Sequence, residues 1–232
     1  DGSIVEIRKD AITDKMKEWF MAPLQQEPKQ SVLFFKKSDC LKTNLWVKHH
    51  CLNNGKELAA GDLLIANNNI YIPDETGFGN PKRVLNGMFF TVKDVLEKHS
   101  ETISIKANPR PMFLSFTKIS VKCLSLSGQD AEIWVLDNYL DCSDEVTKEE
   151  QIAVNVFINR CIAEQKKRYS RENDSLINVL YAKYAWAITV HKAIGSEFDN
   201  VILKGFRAEN DGICNESYFR WLYSGLSVAA GV

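Results

Sequence analysis

The chain has 232 residues, 45% hydrophobic, 25% charged and 10% aromatic, a composition that supports a sizeable core without a metal or disulfide staple. Lys and Arg total 29 against 30 Asp and Glu, a formal charge of -1, which excludes a binder acting through bulk positive charge but not a groove with a few placed donors. No apolar run approaches the roughly 20 residues of a membrane span, and the opening DGSIVEIRKD lacks the pattern of a signal peptide.

Between Asp10 and Leu24 the apolar residues Ile12, Met16, Trp19 and Phe20 recur at helical spacing, and Pro23 and Pro28 stop the helix. Ser31 to Phe35 is a short continuous apolar run, which predicts a strand buried on both faces. Ser38 is then a candidate N-cap, with Leu41, Leu45 and Leu52 on one helical side and Gly55 closing the helix. Strand, cap and helix in that order make half of a βαβ unit.

The character changes at Gly61. GDLLIANNN reads as a strand entering an Asn-rich turn, and DETGFGNP as loop. From Val84 to Asp137, runs of strand-forming residues (VLNGMFFTVKDV, ETISIK, MFLSFTKISVKCLSL, AEIWVLD) are separated by turn signals at Asn86-Gly87, Asn108-Pro109 and Ser127-Gly128. Short strands at this spacing predict a small antiparallel barrel or meander. Its aromatics Phe89, Phe90, Phe113, Phe116 and Trp134 read as core before they read as a base-stacking platform.

Thr147-Lys-Glu-Glu150 is a capping box opening a helix to about Arg168, with Ile152, Val156 and Ile158 inside. Gln165-Lys-Lys-Arg168 is the exposed cationic end of that helix, and YSREND breaks it. A second helical pattern runs from Ser175 to about Ala187. A glycine-bearing turn and a buried strand, Asn200 to Leu203, follow, and the last helix starts near Asn215 with Tyr218, Phe219, Leu222, Tyr223 and Leu226.

The six cysteines, Cys40, Cys51, Cys123, Cys142, Cys161 and Cys214, form no C-x-x-C pair and no zinc-finger spacing with histidine. They read as small buried apolar groups in a reducing, cytoplasmic compartment. G-x-S-x-G, H-E-x-x-H, G-x-G-x-x-G and a Walker A loop are all absent, so this chain alone has no cradle for a triphosphate. Gly77-Phe-Gly79 is an isolated glycine pair. One segment concentrates chemistry: Ala187-Ile-Thr-Val-His-Lys-Ala-Ile-Gly-Ser-Glu-Phe-Asp-Asn-Val places Thr, His, Lys, Ser and Glu before a buried strand. Polar groups at such a junction face the crevice of an α/β sheet, where ligands bind.

That segment resembles the superfamily 1 helicase motif A-x-T-x-H-K-x-Q-G-x-E-F-x-x-V. SVLFFKKSD with Asn44 is similar to the first strand and helix of the second RecA-like domain. GDLLIANNN followed by VLNGMFFTV is similar to a segment of the RecD-like subfamily, and RWLYSGLSVA, residues 220–229, to the closing motif R-W-L-Y-T-A-x-T-R-A. Four segments in the right order, within residues 31 to 232, are far more specific than any one of them.

The resemblance implies an α/β fold: a RecA-like parallel-sheet domain interrupted by a small β-barrel-like insertion. Residues 1–87 are then the first part of the second helicase domain, 88–146 the β-rich insertion, and 147–232 a helical segment with the rest of the helicase domain. It implies that Thr189, His191 and Ser38 hold the backbone of single-stranded DNA, and that Gly195 and Glu197 meet the nucleotide, Glu197 at the ribose. ATP and Mg2+ belong to the parent protein, held by its amino-terminal P-loop domain, with none bound by this chain alone. A monomer with no membrane contact and no catalytic residue of its own is expected.

Two positions depart from the pattern. Ile194 replaces the family glutamine, and Val228 the arginine that reaches the γ-phosphate, a finger worth about 10³–10⁵ in turnover. Arg220, eight residues upstream, lies too far along a helix to replace it. Either this is the carboxy-terminal half of an ATP-dependent DNA helicase, or it is a degenerate module that binds nucleic acid or protein without ATPase activity.

Overall fold

The computed structural model describes residues 4–72, 82–106, 109–125, 129–164, 176–205 and 215–229. It divides into two units, one formed by residues 1–57 with 184–232 and the other by 58–183.

The first unit is α/β. Helix α1 (Lys9–Phe20) buries Met16 and Phe20 and ends just ahead of Pro23. Strand β1 (Gln30–Phe34) follows, buried from Ser31 onward as the apolar run predicts, and leads into α2 (Lys37–His50). The helix starts one residue before Ser38, so Lys36 holds the cap position without a side-chain bond and Ser38 lies exposed in the first turn. Its buried residues are Cys40, Asn44, Val47 and Lys48, whereas Leu41 and Leu45 are half-buried and Leu52 lies beyond the helix. The left-handed residue after the helix is Asn53 (φ 54), not Gly55. Asparagine tolerates that conformation because its short polar side chain bonds locally.

The second unit is built on an antiparallel sheet. Its strands are β2 (Leu63–Ala66), β3 (Ile70–Ile72), β4 (Lys82–Val84), β5 (Phe89–Ile103), β6 (Met112–Cys123) and β7 (Gln129–Leu136). Two helices follow, α3 (Asp137–Asp141) and α4 (Lys148–Glu164), and then β8 (Ala182–Tyr184), whose last residue crosses into the first unit. The sheet runs β7-β6-β5-β2-β8, with β3 and β4 paired separately. It is open rather than a closed barrel; a single parallel bridge, Val135 to Leu180, ties β7 to the residues leading into β8.

Pairing of β5 with β2 places Leu63–Ala66 in the same sheet, within the unit formed by residues 58–183. The segments VLNGMFFTVKDV and ETISIK join into the single strand β5, which passes two irregularities in its pairing with β6, at Val92/Asp94 and Val95/Glu97. Asn86-Gly87 makes the expected turn, with Gly87 at φ +99. Phe89, Phe90, Phe116 and Trp134 are core, while Phe113 is exposed.

The Asn-rich turn is a set of paired amides. Asn68 donates to Val179 O (2.9 Å) and accepts from Tyr181 N (2.8 Å), Asn67 donates to Tyr139 Oη (3.1 Å), and Asn69 accepts from Asn86 N (2.8 Å). The bonds of Asn67 and Asn68 are part-buried and satisfy groups that lose water there, while the Asn69–Asn86 bond is exposed.

The capping box closes as its spacing predicts: Glu150 N donates to Thr147 Oγ1 (3.1 Å) and Thr147 N to Glu150 Oε2 (2.9 Å). Thr147→Ala is expected to cost about 1 kcal/mol, read from the urea midpoint, and Thr147→Ser to restore most of it. A Thr147→Ala loss of under about 0.3 kcal/mol would mean that packing alone sets this terminus. On α4 the buried residues are Ala153, Val154 and Phe157; Ile158 is half-buried and Ile152 and Val156 are exposed, contrary to the pattern reading.

The predicted helix over Ser175 to Ala187 does not form. Within residues 176–189 the chain makes a turn, a bridge at Leu180, β8 and then β9 (Ala187–Thr189). Ile177 to Leu180 and Tyr184 to Ile188 are all buried, and near-continuous burial of aromatic and β-branched residues favours strand over a one-faced helix. After β9 come the short helix α5 (Val190–Ala193), β10 (Asn200–Leu203) and α6 (Glu216–Leu226). Asn215 caps α6 by accepting from Tyr218 N at 2.9 Å. This helix buries Trp221 and Gly225 and leaves Phe219 and Tyr223 exposed.

Gly77-Phe-Gly79, Asn108, Ser127-Gly128, Gln165 to Arg168, YSREND, Ser175 and Cys214 lie outside the described residues. No described helix is long and apolar enough to cross a membrane.

Candidate nucleic-acid interface

Strands β10, β1 and β9 form a parallel sheet in that order, with β1 central. The register pairs Val32 with Ala187 and Ile202, and Phe34 with Thr189. All three strands therefore end on one edge, the carboxyl edge, where an open α/β sheet presents its loops and helix starts.

That edge collects residues far apart in sequence. Ser38 is exposed in the first turn of α2, four residues after Phe34. Thr189 closes β9, half-buried, and caps α5 by accepting from Lys192 N at 3.3 Å. A hydroxyl that accepts at its oxygen still has its proton to donate, so the cap leaves the Thr189 O–H available to an incoming acceptor. His191 follows on α5 with its ring exposed. Lys204, just past β10, donates its backbone N–H to Leu33 O (3.1 Å) and pairs through Nζ with Asp39 Oδ2 (3.0 Å). Arg220 is likewise engaged, with Glu216 at 2.6 Å. Two cations are thus already matched to carboxylates.

Beneath the edge, Cys40 is buried and its thiol is pushed up to about 12 by burial, with Asp39 adding to the shift. At neutral pH it is a protonated packing group and no nucleophile.

Gly195 and Glu197 are placed differently. The chain turns back after α5, with Ser196 N donating to Ala193 O (2.9 Å), and reaches the opposite end of the sheet, where Asp199 N and Asn200 N both donate to Lys29 O ahead of β1. Glu197 is exposed on that return path, toward the amino edge. Gly195 has φ +89 and nothing within 4 Å of where a Cβ would stand, an open backbone that a ligand can approach closely. The sheet thus brings Ser38, Thr189 and His191 to one edge and sends Glu197 toward the other.

The two departures also have definite places. Ile194 is exposed at 59%. Val228 is 5% exposed, and its carbonyl accepts from Phe198 N at 2.9 Å, part of a parallel bridge between Phe198 and Ala229. Its side chain is core, not a group aimed at solvent.

Sequence reasoning passed over the polar contacts that hold the edge in place. Buried Asn44 donates through Nδ2 to Tyr184 O and Ala187 O (both 2.8 Å) and accepts from Ala187 N at 2.6 Å. Its amide pairs with the outer side of β9 as a neighbouring strand would. One helical turn on, buried Lys48 donates to Glu57 O (2.6 Å) and lies over the Tyr184 ring at 4.8 Å. Asn44 is named only through the resemblance of SVLFFKKSD with Asn44, and Lys48, one turn on, is not singled out. Among the described residues, no group of three or more His, Cys, Asp or Glu side chains could hold a metal ion.

No protein-family description matches this chain, and no curated protein matches it. Among solved structures it is similar to the Pif1 helicase from Candida albicans, at 13% identity and a TM-score of 0.34, over 93% of this chain and 47% of that one. The chain spans about half the length of that helicase.

Proposed function

We propose that this chain is the carboxy-terminal half of an ATP-dependent DNA helicase of the RecD-like group, gripping single-stranded DNA on the carboxyl edge of its parallel sheet. The supporting observation is the register of Phe34 with Thr189, which sets the motif residues Ser38, Thr189 and His191 on neighbouring strand ends although they come from opposite ends of the chain. Hydroxyl and imidazole donors suit a moving grip, because each makes a single hydrogen bond to phosphate that is released at each step. The nucleotide would be held by a P-loop domain outside this chain. The open backbone at Gly195 and the exposed carboxylate of Glu197 fit contacts from this side.

The reading is tested by fluorescence anisotropy of a labelled single-stranded oligonucleotide across a salt series. Hydroxyl and imidazole donors neutralise little phosphate charge, so the slope of log K against log salt should be shallow, no steeper than about -0.7. His191→Ala should weaken binding about tenfold, as loss of a hydrogen bond to a charged partner does. Its thermal midpoint should stay at the wild-type value, since His191 is exposed. No measurable single-strand binding would overturn the proposal.

The second reading, a binding module without ATPase activity, is favoured by one observation: the position of the family arginine is a buried valine. Both readings share the single-strand grip. They part on hydrolysis by the longest natural chain that contains this segment.

A further inference from the structure

In the second unit a lysine amine stands against a cysteine sulfur. Lys183, in β8, donates Nζ to Cys142 Sγ at 3.1 Å, to Cys142 O at 2.6 Å and to Tyr139 O, and lies 4.1 Å from the centre of the Tyr139 ring. The sulfur sits just past α3, half-buried, with its S–H directed to Tyr139 O and Asp144 O, each at 3.2 Å. An amine and a thiol from segments 41 positions apart are thus held in contact by hydrogen bonds to the same turn. Buried Cys40 makes a contrast in geometry: its charged neighbour is the carboxylate of Asp39, not an amine.

We propose that Cys142 and Lys183 form an oxidisable pair that closes into a covalent sulfur–nitrogen link when the protein meets a peroxide. In the first step the Cys142 sulfur attacks hydrogen peroxide. An S–O bond forms, the O–O bond breaks, one water leaves, and the sulfur is oxidised by two electrons to a sulfenic acid. In the second step Lys183 releases one proton to solvent and its nitrogen attacks that sulfur. The S–N bond forms, the S–O bond breaks and a second water leaves. The sum is thiol plus ammonium plus peroxide giving the S–N link, two waters and one proton.

The ammonium suits the first step because it stabilises negative charge on the sulfur. It suits the second because the nucleophile already stands at the sulfur and needs no loop movement. The product ties the turn after α3 to β8, the end strand of the five-stranded sheet, and a thiol reductant reopens it. Nothing in this inference depends on the helicase reading.

The test is a peptide mass map of the full folded chain after brief treatment with hydrogen peroxide, with free thiols then alkylated. The expected result is a peptide pair joining Cys142 to Lys183, two hydrogens lighter than the separate peptides and released by a thiol reductant. Cys142→Ser and Lys183→Arg should both abolish it, and Lys183→Arg should leave a Cys142 sulfenic acid that a cyclic 1,3-dione traps. If Cys142 in the wild-type chain gives the dione adduct and no cross-link, or stays unmodified while other thiols oxidise, the proposal is wrong. The wild-type map alone decides this, so a Lys183 variant that folds poorly does not blunt the test.

Discussion

Asn44→Asp will destabilise the protein by at least about 3 kcal/mol, although the two side chains are nearly the same size. The asparagine amide donates twice, to Tyr184 O and Ala187 O, and both bonds are buried. A carboxylate has no proton to give, so two buried carbonyls lose their donors and face a negative charge. Each unsatisfied buried group costs about 1–3 kcal/mol, and an unpaired buried charge more. Asn44→Ala leaves the same carbonyls unpaired and strips Ala187 N of its acceptor as well, so its loss should be comparable. The measurement is the urea midpoint of each variant, with the denaturant slope checked for constancy. Losses within about 1 kcal/mol of wild type would show that β9 is held by its pairing with β1 and that the amide adds little.

Asn44 also positions the residues of the proposed grip. It fixes the outer side of β9, the strand that ends at Thr189 and launches His191. A loosened β9 would displace those side chains, so under the proposed single-strand grip the Asn44 variants should also lose oligonucleotide binding, in proportion to their unfolding.

Val228→Arg, with or without Ile194→Gln, will not raise ATP hydrolysis by the longest natural chain above its wild-type rate and will destabilise the fold by on the order of 3–5 kcal/mol. A motif-level reading makes the opposite prediction, since this substitution rebuilds the family pattern. The structure explains the difference: Val228 is 5% exposed and its backbone is tied to Phe198, itself 1% exposed. An arginine there must either bury a guanidinium without a carboxylate or pull the end of α6 away from the core, and both are costly. Thermal unfolding with an ATPase assay of the longest natural chain distinguishes the outcomes. A stable, DNA-stimulated ATPase from Val228→Arg would show that this segment turns its side chain outward when the nucleotide domain is present. Ile194→Gln alone should be silent in stability, because the side chain is already largely in water.

The motif match and the structure agree where the signals are local. The run Ser31 to Phe35 demanded a strand buried on both faces, because no polar residue interrupts it to face solvent. Thr147 and Glu150 announced a helix start because each supplies what the other's backbone lacks, and Asn86-Gly87 a turn because Gly87 takes a positive φ. These are contacts within a few residues, and the chain carries them in its order.

Other features depend on partners far along the chain. Residues 176–188 look helical by spacing but become strand because β2, β7 and β1 lie ready to pair with them. Asn44 carries no local sign of its partner: Ala187, 143 positions away, presents an N–H and a carbonyl to its amide. Val228 reads as the place of a missing arginine until its burial, with its carbonyl bonded to Phe198 N, makes it part of the core. The sequence by itself determined the buried strand at Ser31 to Phe35, the polar segment that follows β9, the Thr147–Glu150 capping box and the Asn86-Gly87 turn. The tertiary structure alone decided which of those polar residues share an edge, because strand order and register are set by burial and pairing across the whole chain, which local periodicity does not record.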